Sequence, residues 1–259
     1  MSRLPLPADW LVPDWPAPPG VRAVCTTRAC PAGDAPSAAP WGGFNLADHV
    51  GDAPQAVASH RAALAACTGA RPVFLEQVHG CRVAELDAYA PDGQPADAAV
   101  TASSGVACTV MVADCLPVLL ARADGAAVAA AHAGWRGLAG GILQNTVAAM
   151  QADPGEIMAY LGPAIGPDAF EVGEDVREAF CRLHSAAENA FEGIGGGKYL
   201  ADIYALARQT LRREGVNLIY GGTHCTVLER DTFFSYRRDG QTGRMVSMIW
   251  LEKPAGEAV

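Results

Sequence analysis

Apolar residues gather in short runs between turn-forming residues through the middle of the chain. This pattern predicts strands over 72–78, 82–86, 98–101, 106–112, 117–121 and 126–132, with further strands at 157–161, 217–220 and 245–251. ARADGA at 121–126 carries an Asp-Gly pair and reads as a hairpin turn. Such a turn sets the ends of the 106–112 and 126–132 strands at different levels unless the pairing is staggered. Four segments show helical spacing instead: 53–67, 138–151, 171–183 and 200–213, the last starting near Asp202. Asp52 reads as the N-cap of the first, with Pro54 in its first turn and His60 on its surface. Residues 29–43 are too rich in Pro and Gly for either periodic element and read as a loop. Strands come in runs and do not alternate strictly with helices, which predicts an α+β fold with mixed sheets. One catalytic domain is expected over 21–252, after an irregular lead-in at 1–20 and before a tail at 253–259.

Composition narrows the classes. The chain has 259 residues, half of them apolar, and a net charge of −9. It can bury a substantial core. The acidic balance makes nucleic acid and anionic membranes poor partners, and the pairs Arg212-Arg213 and Arg237-Arg238 are too small for a nucleic-acid footprint. No apolar stretch reaches the roughly 20 residues of a membrane helix. The N-terminus carries prolines and aspartates where a signal peptide has an apolar core. The 8 cysteines form no CxxC pair and are too sparse for a secreted disulfide scaffold. A cytoplasmic protein with reduced thiols is expected, with Cys67, Cys108 and Cys181 serving as small core residues. Nothing resembles a coiled-coil stripe, so a monomer is the default expectation.

Three strings carry the chemistry: QVHG at 77–80, ADCLPVLL at 113–120 and HAGWRG at 132–137. They bring His79, Cys115 and His132 into one central stretch. Two imidazoles and a thiolate suit a tetrahedral zinc whose fourth position is open to water. The same residues also suit a cysteine nucleophile with a histidine base. Gly134 and Gly137 permit a tight turn, Trp135 can wall a pocket, and Arg136 can fork onto a phosphate or carboxylate. Glycine ahead of the 138–151 helix offers free backbone amides to an anion. His49, His184 and His224 stand in no comparable motif.

Longer strings make the chain resemble a known family. They are TTR at 26–28, FNLADHVGD at 44–52, QVHG, DAAVT at 97–101, ADCLPVLL, HAGWRG, GPAIGPDAFEVG at 162–173 and FFSYRRDGQTGR at 233–244. They run in order from about Val21 to Leu251. They resemble the laccase-domain proteins, once called multicopper polyphenol oxidases and now described as purine nucleoside phosphorylases with adenosine deaminase activity. The chain departs at His60-Arg61, where the family usually has Asn-Arg, and in the loop at 29–43. The resemblance implies a single α/β sandwich with mixed sheets, related to the catalytic domain of cytotoxic necrotizing factor. It implies His79, Cys115 and His132 as metal ligands, with zinc as the usual ion and copper as the alternative. The implied substrates are small molecules: adenosine, inosine or methylthioadenosine for phosphorolysis, and adenosine for deamination.

Residue types suggest the remaining roles. Asp114 is the candidate proton shuttle for hydrolytic deamination. Arg136, Arg28, Arg237 and the glycine turn are candidate phosphate contacts. Asn45 and Gln77 offer paired donor and acceptor groups to a purine or ribose. The same Cys115 and His132 would serve a peptidoglycan-editing amidase, as some members are described. A non-enzymatic metal store or redox sensor would use the ligands alone. Oxidation of phenols by several coppers is the weakest reading, because the chain has 6 histidines and few lie in ligand-like motifs.

Overall fold

The computed structural model describes residues 6–253, so the first residues of the lead-in and the tail beyond Lys253 lie outside the described residues. The fold is α+β with mixed sheets. Among the described residues thirteen strands are distinguished: β1 (Val21–Cys25), β2 (Arg71–Phe74), β3 (Val83–Glu85), β4 (Ala98–Thr101), β5 (Val106–Val112), β6 (Leu116–Arg122), β7 (Val128–Ala133), β8 (Ile157–Leu161), β9 (Glu171–Gly173), β10 (Phe191–Gly195), β11 (Lys198–Ala201), β12 (Leu218–Gly221) and β13 (Met245–Leu251). The helices are α1 (Pro54–Thr68), α2 (Trp135–Gly140), α3 (Ile142–Ala149), α4 (Glu174–Cys181), α5 (Ile203–Arg213) and α6 (Tyr236–Asp239).

Two sheets form the centre. A four-stranded sheet runs β1-β13-β5-β2 and a six-stranded sheet runs β12-β8-β6-β7-β4-β3; β9, β10 and β11 make a small outlying sheet. Each large sheet mixes directions: β2 runs parallel to β5 while β13 is antiparallel to it, and β12 is parallel to β8 while β6 and β8 are antiparallel. Successive side chains on a strand point to opposite faces. On β6, Leu119 and Ala121 therefore join Val110 and Ile249 in a core between the two sheets. Val118 and Leu120 join Leu143, Leu206 and Phe180 in a second core under α3, α4 and α5. The outer face of the four-stranded sheet packs Val246, Met248 and Trp250 against Leu64 of α1 and against Phe44. The order of layers is helix, sheet, sheet, helices. Strands buried on both faces read as continuous apolar runs, not as alternation.

Several local expectations are corrected. The helix expected at 138–151 is two helices, α2 and α3, broken where Gly141 takes φ 105°. Residues 171–173 pair with β11 as β9, so the helix expected from 171 begins at Glu174. Leu200 belongs to β11, and α5 starts only after Asp202, whose carboxylate accepts from the Ala205 N–H. Asp52 does not cap α1; Ala53 holds that position, and Pro54 fills the first turn as expected. Asp52 instead accepts from Ser37 and Asn45 in a buried cluster. His60 is not on the surface. It is 1% exposed, with its ring nitrogens 2.8 and 2.9 Å from the carbonyls of Asn45 and Ala35. Cys67 and Cys108 are buried, whereas Cys181 is half-buried and donates to Glu188. The 121–126 hairpin turn joins β6 to β7 as expected, with Gly125 at φ 70°.

Candidate metal centre

The chain leaves β5, turns through Asp114 at φ 92°, and enters β6 immediately after Cys115. Leu116 pairs with Ala133 and Pro117 with His132 across the hairpin. This register removes the difference in level, because the residue before β6 meets the residues that close β7. Between them lies Gly134. A Cβ there would come within 3.0 Å of the Cys115 sulfur, 3.2 Å of the His79 ring and 3.6 Å of the His132 ring. Any side chain there would press on the three donors where they converge.

His79 arrives from the QVHG turn at φ 58°, a left-handed backbone region uncommon for residues other than glycine. A buried carboxylate holds it there. Asp97, fully buried, accepts the backbone N–H groups of Val78, His79 and Gly80 at 3.2, 2.9 and 2.7 Å. Its Oδ1 also meets His132 Nδ1 at 2.9 Å. One side chain thus fixes the His132 imidazole and the backbone that carries His79, and it directs the other His132 ring nitrogen away from itself. The Cys115 sulfur lies 3.9 Å from His79 Nε2, and the two rings meet edge-on with centroids 4.8 Å apart. One ligand atom from each of the three residues lies within 4.8 Å of the others.

The electrostatics follow from this packing. Burial would raise the Cys115 thiol, but hydrogen bonds and charge from His132 and His79 bring it down to about 6. Burial would lower His132, but Asp97 and Cys115 raise it to about 9. Burial opposes the Asp97 charge as well, yet His132 and the backbone amides hold its carboxyl below the ordinary range. Without a metal, Cys115 and His132 form a thiolate–imidazolium pair near neutral pH. Two imidazoles and a ready thiolate form a donor set that fits zinc or another thiophilic ion.

Two chambers flank the donors, and His79, Ala113, Cys115 and Tyr236 line both. One has a volume of about 350 Å³, with His49, Gln77, Met111 and Arg244 in its wall. The other, of about 190 Å³, is walled by Trp135, Arg136, Phe170 and Arg237. A larger cavity of about 580 Å³ lies near Glu85, Arg122 and Gln151 and holds none of the donors.

The expected site residues are dispersed. Arg136 and Arg237 reach one chamber; Arg136 lies over the Trp135 ring at 4.3 Å, and Arg237 donates to the Glu171 carbonyl. Gln77 reaches the wall, but its amide already pairs with both backbone groups of Met111. Asp114 borders a chamber with both oxygens engaged: Oδ1 accepts from Thr226 and Oδ2 from the Arg237 N–H, each at 2.6 Å. It braces Arg237 and is poorly placed as a free proton shuttle. Arg28 and Asn45 line neither chamber. Arg28 donates to the carbonyls of Arg230 and Gly42. Asn45 is fully buried and bonds Ala47, Asp52 and the Arg244 N–H.

Sequence reasoning missed Asp97, Arg244, His49 and Tyr236. Asp97 opens DAAVT, Arg244 closes FFSYRRDGQTGR and His49 stands in FNLADHVGD, so each was inside a recognised string without a role. Arg244 is half-buried and donates to the carbonyls of Thr242 and Gly243. Burial lowers its pKa, and the negative charges of Cys115 and Asp114 oppose that shift.

Residues 22–252 match the family described as multi-copper polyphenol oxidoreductase laccase. The chain is 50% identical over 243 residues to the purine nucleoside phosphorylase YfiH of Escherichia coli, covering 93% of this chain and 98% of that one. It is 48% identical over 244 residues to a purine nucleoside phosphorylase of Pseudomonas aeruginosa, covering 94% and 98%. A crystal structure of a Neisseria meningitidis protein superposes with a TM-score of 0.91 at 56% identity, over 95% of this chain and 100% of that one. YlmD of Geobacillus stearothermophilus superposes at 0.86 with 30% identity, over 94% and 96%.

Proposed function

The chain belongs to the family described as multi-copper polyphenol oxidoreductase laccase, and from that premise we propose that it is a metal-dependent purine nucleoside phosphorylase. Hydrolytic deamination of adenosine is its second activity. The observation that carries this reading is the convergence of His79, Cys115 and His132 between two chambers of different chemistry. Zinc is the resident ion of choice, with copper the competitor for the same soft donors. Among the described residues there is one cluster of three such donors, too few for a multicopper centre. When bound, the ion supplies positive charge to polarise an oxygen at the junction of the chambers.

The chain's own groups divide the work. The smaller chamber takes phosphate, because Arg136 and Arg237 both line it and a guanidinium forks onto such an anion. Asp114 keeps Arg237 in place through its backbone N–H. The larger chamber takes the nucleoside, with Tyr236 and Met111 as flat or apolar walls and Arg244 as a polar contact. Asp97 holds the His132 imidazole and the His79 backbone while substrate enters. Among the described residues no helix is long and apolar enough to cross a membrane.

The decisive experiment is metal analysis of protein purified without affinity metals, together with adenosine assays with and without phosphate. Stoichiometric zinc, with adenine released only when phosphate is present, supports the phosphorylase. Inosine formation supports the deaminase. Bound zinc with no nucleoside turnover overturns both.

One observation favours a second reading. Asp97, His132 and Cys115 stand in the order of a cysteine–histidine–carboxylate relay. An amidase acting on peptidoglycan precursors, as some members of the family are described, would use Cys115 as nucleophile. Iodoacetamide alkylation of Cys115 without metal release, coupled to amide hydrolysis, would support it.

A further inference from the structure

The wall of the larger chamber contains a proton donor that the reading above leaves unused. His49 lines the 350 Å³ chamber together with His79, Cys115 and Arg244. It also lines an adjoining groove of about 550 Å³, whose charged wall residues are Asp48, Arg61, Glu76 and Asp92. The backbone around it is pinned. Leu46 donates to the Arg244 carbonyl and accepts from Arg61, and Trp41 donates to the Val50 carbonyl at 3.0 Å. The imidazole itself is 59% exposed, with Nδ1 3.6 Å from Asp48, whose other oxygen meets Arg61 at 3.2 Å. A fixed backbone thus carries a side chain that can turn toward a ligand.

The other titratable groups of this chamber are unsuited to donating a proton near neutral pH. His79, His132 and Cys115 are the metal donors. Arginine does not give up its proton in proteins, and a tyrosine does so only near pH 10. Histidine is the side chain suited to proton transfer between pH 5 and 8.

Resting on the phosphorylase reading, we propose that His49 is the general acid that protonates the departing purine. A phosphate oxygen forms a bond to C1′ of the ribose. The C1′–N9 bond breaks, and its electron pair passes into the purine. The His49 imidazolium delivers its proton to N7, so the base leaves neutral. The attacking phosphate sheds its proton to solvent, and His49 takes one back from solvent. No oxidant or further reactant is needed.

The test compares inosine with 7-methylinosine, whose base already carries a substituent on N7 and leaves neutral without receiving a proton. In His49→Gln, phosphorolysis of inosine should fall by about 100-fold or more, the scale of a lost general acid, while 7-methylinosine should stay within about threefold of wild type. The alkaline limb of the inosine pH profile should flatten in the same variant. Equal losses on both substrates would make His49 a binding or structural residue, and no loss on either would remove it from the reaction. A wild type that turns over neither substrate, with or without phosphate, would instead overturn the phosphorylase reading beneath the proposal. Metal content measured on the same samples verifies that the centre is intact.

Discussion

Two polar clusters in this molecule, each built on a buried aspartate, use similar residue types to opposite ends. In the first, Asp52 accepts from Ser37 and Asn45, and both nitrogens of His60 face backbone carbonyls. Its principal polar groups are engaged with other protein groups, so it locks the loop before α1 against that helix. In the second, Asp97 fixes His79 and His132, but only one nitrogen of His132 is spent on it. The unspent donors converge with the Cys115 sulfur on open volume. A buried histidine is therefore structural or chemical according to where its second nitrogen points.

Breaking the second cluster should have the largest effect. Cys115→Ala removes a ligand, and turnover and bound metal should both fall to background by activity assay and elemental analysis. Retained metal with lost turnover would shift the balance to the nucleophile reading. Asp97→Asn keeps the shape but weakens the grip on the His132 imidazole and on the backbone that carries His79. Metal affinity, read by competition with a chelator, should drop about 10- to 100-fold.

Protonation sharpens the contrast further. In the metal-free protein the Cys115 thiol titrates near 6 and His132 near 9. Between those values the sulfur is already charged and the imidazole must lose one proton to bind metal. Affinity should therefore rise about tenfold per pH unit across that window and level off above it. In the same metal-free protein, alkylation of Cys115 by iodoacetamide should reach its half-maximal rate near pH 6, where an ordinary thiol remains largely protonated. A midpoint above pH 8 would dissolve the thiolate–imidazolium pair.

The first cluster supplies the smallest effect on chemistry. His60→Ala strips hydrogen bonds from two buried carbonyls and leaves a void beside Phe44, so stability should fall by about 2–4 kcal/mol in denaturant unfolding. Metal stoichiometry should not change. If it does, the two clusters are coupled through Asn45 and Arg244, and the distinction between them fails.

This contrast also explains what the sequence could and could not disclose. β4, β5, β8 and β13 were legible with their bounds, because buried strands are uninterrupted apolar runs between turn residues. The hairpin of β10 and β11 was not, since FEGIG and KYLA carry little apolar signal and lie at an exposed edge. β1 was hidden beside a Pro-rich lead-in. The split of α2 from α3 turns on the conformation of Gly141, which no periodicity reports. At the site, the three donors were legible from their strings. Asp97 was not, because an aspartate that spends itself on backbone amides looks like any other until the chain is folded. Asn45 and Arg28 failed in the opposite sense: their types suited a substrate, but the fold had already given them partners.

The hairpin register bears on how this protein can change. Cys115 and His132 sit at the open end of β6 and β7, and the Asp-Gly turn sits at the closed end. One residue inserted into either arm would flip every side chain beyond it to the opposite face of the sheet. The sulfur and the imidazole would then part company, although both strands kept their hydrophobic character. Each arm of the hairpin, from Cys115 to Arg122 and from Val128 to Gly134, thus behaves as a ruler whose length cannot drift.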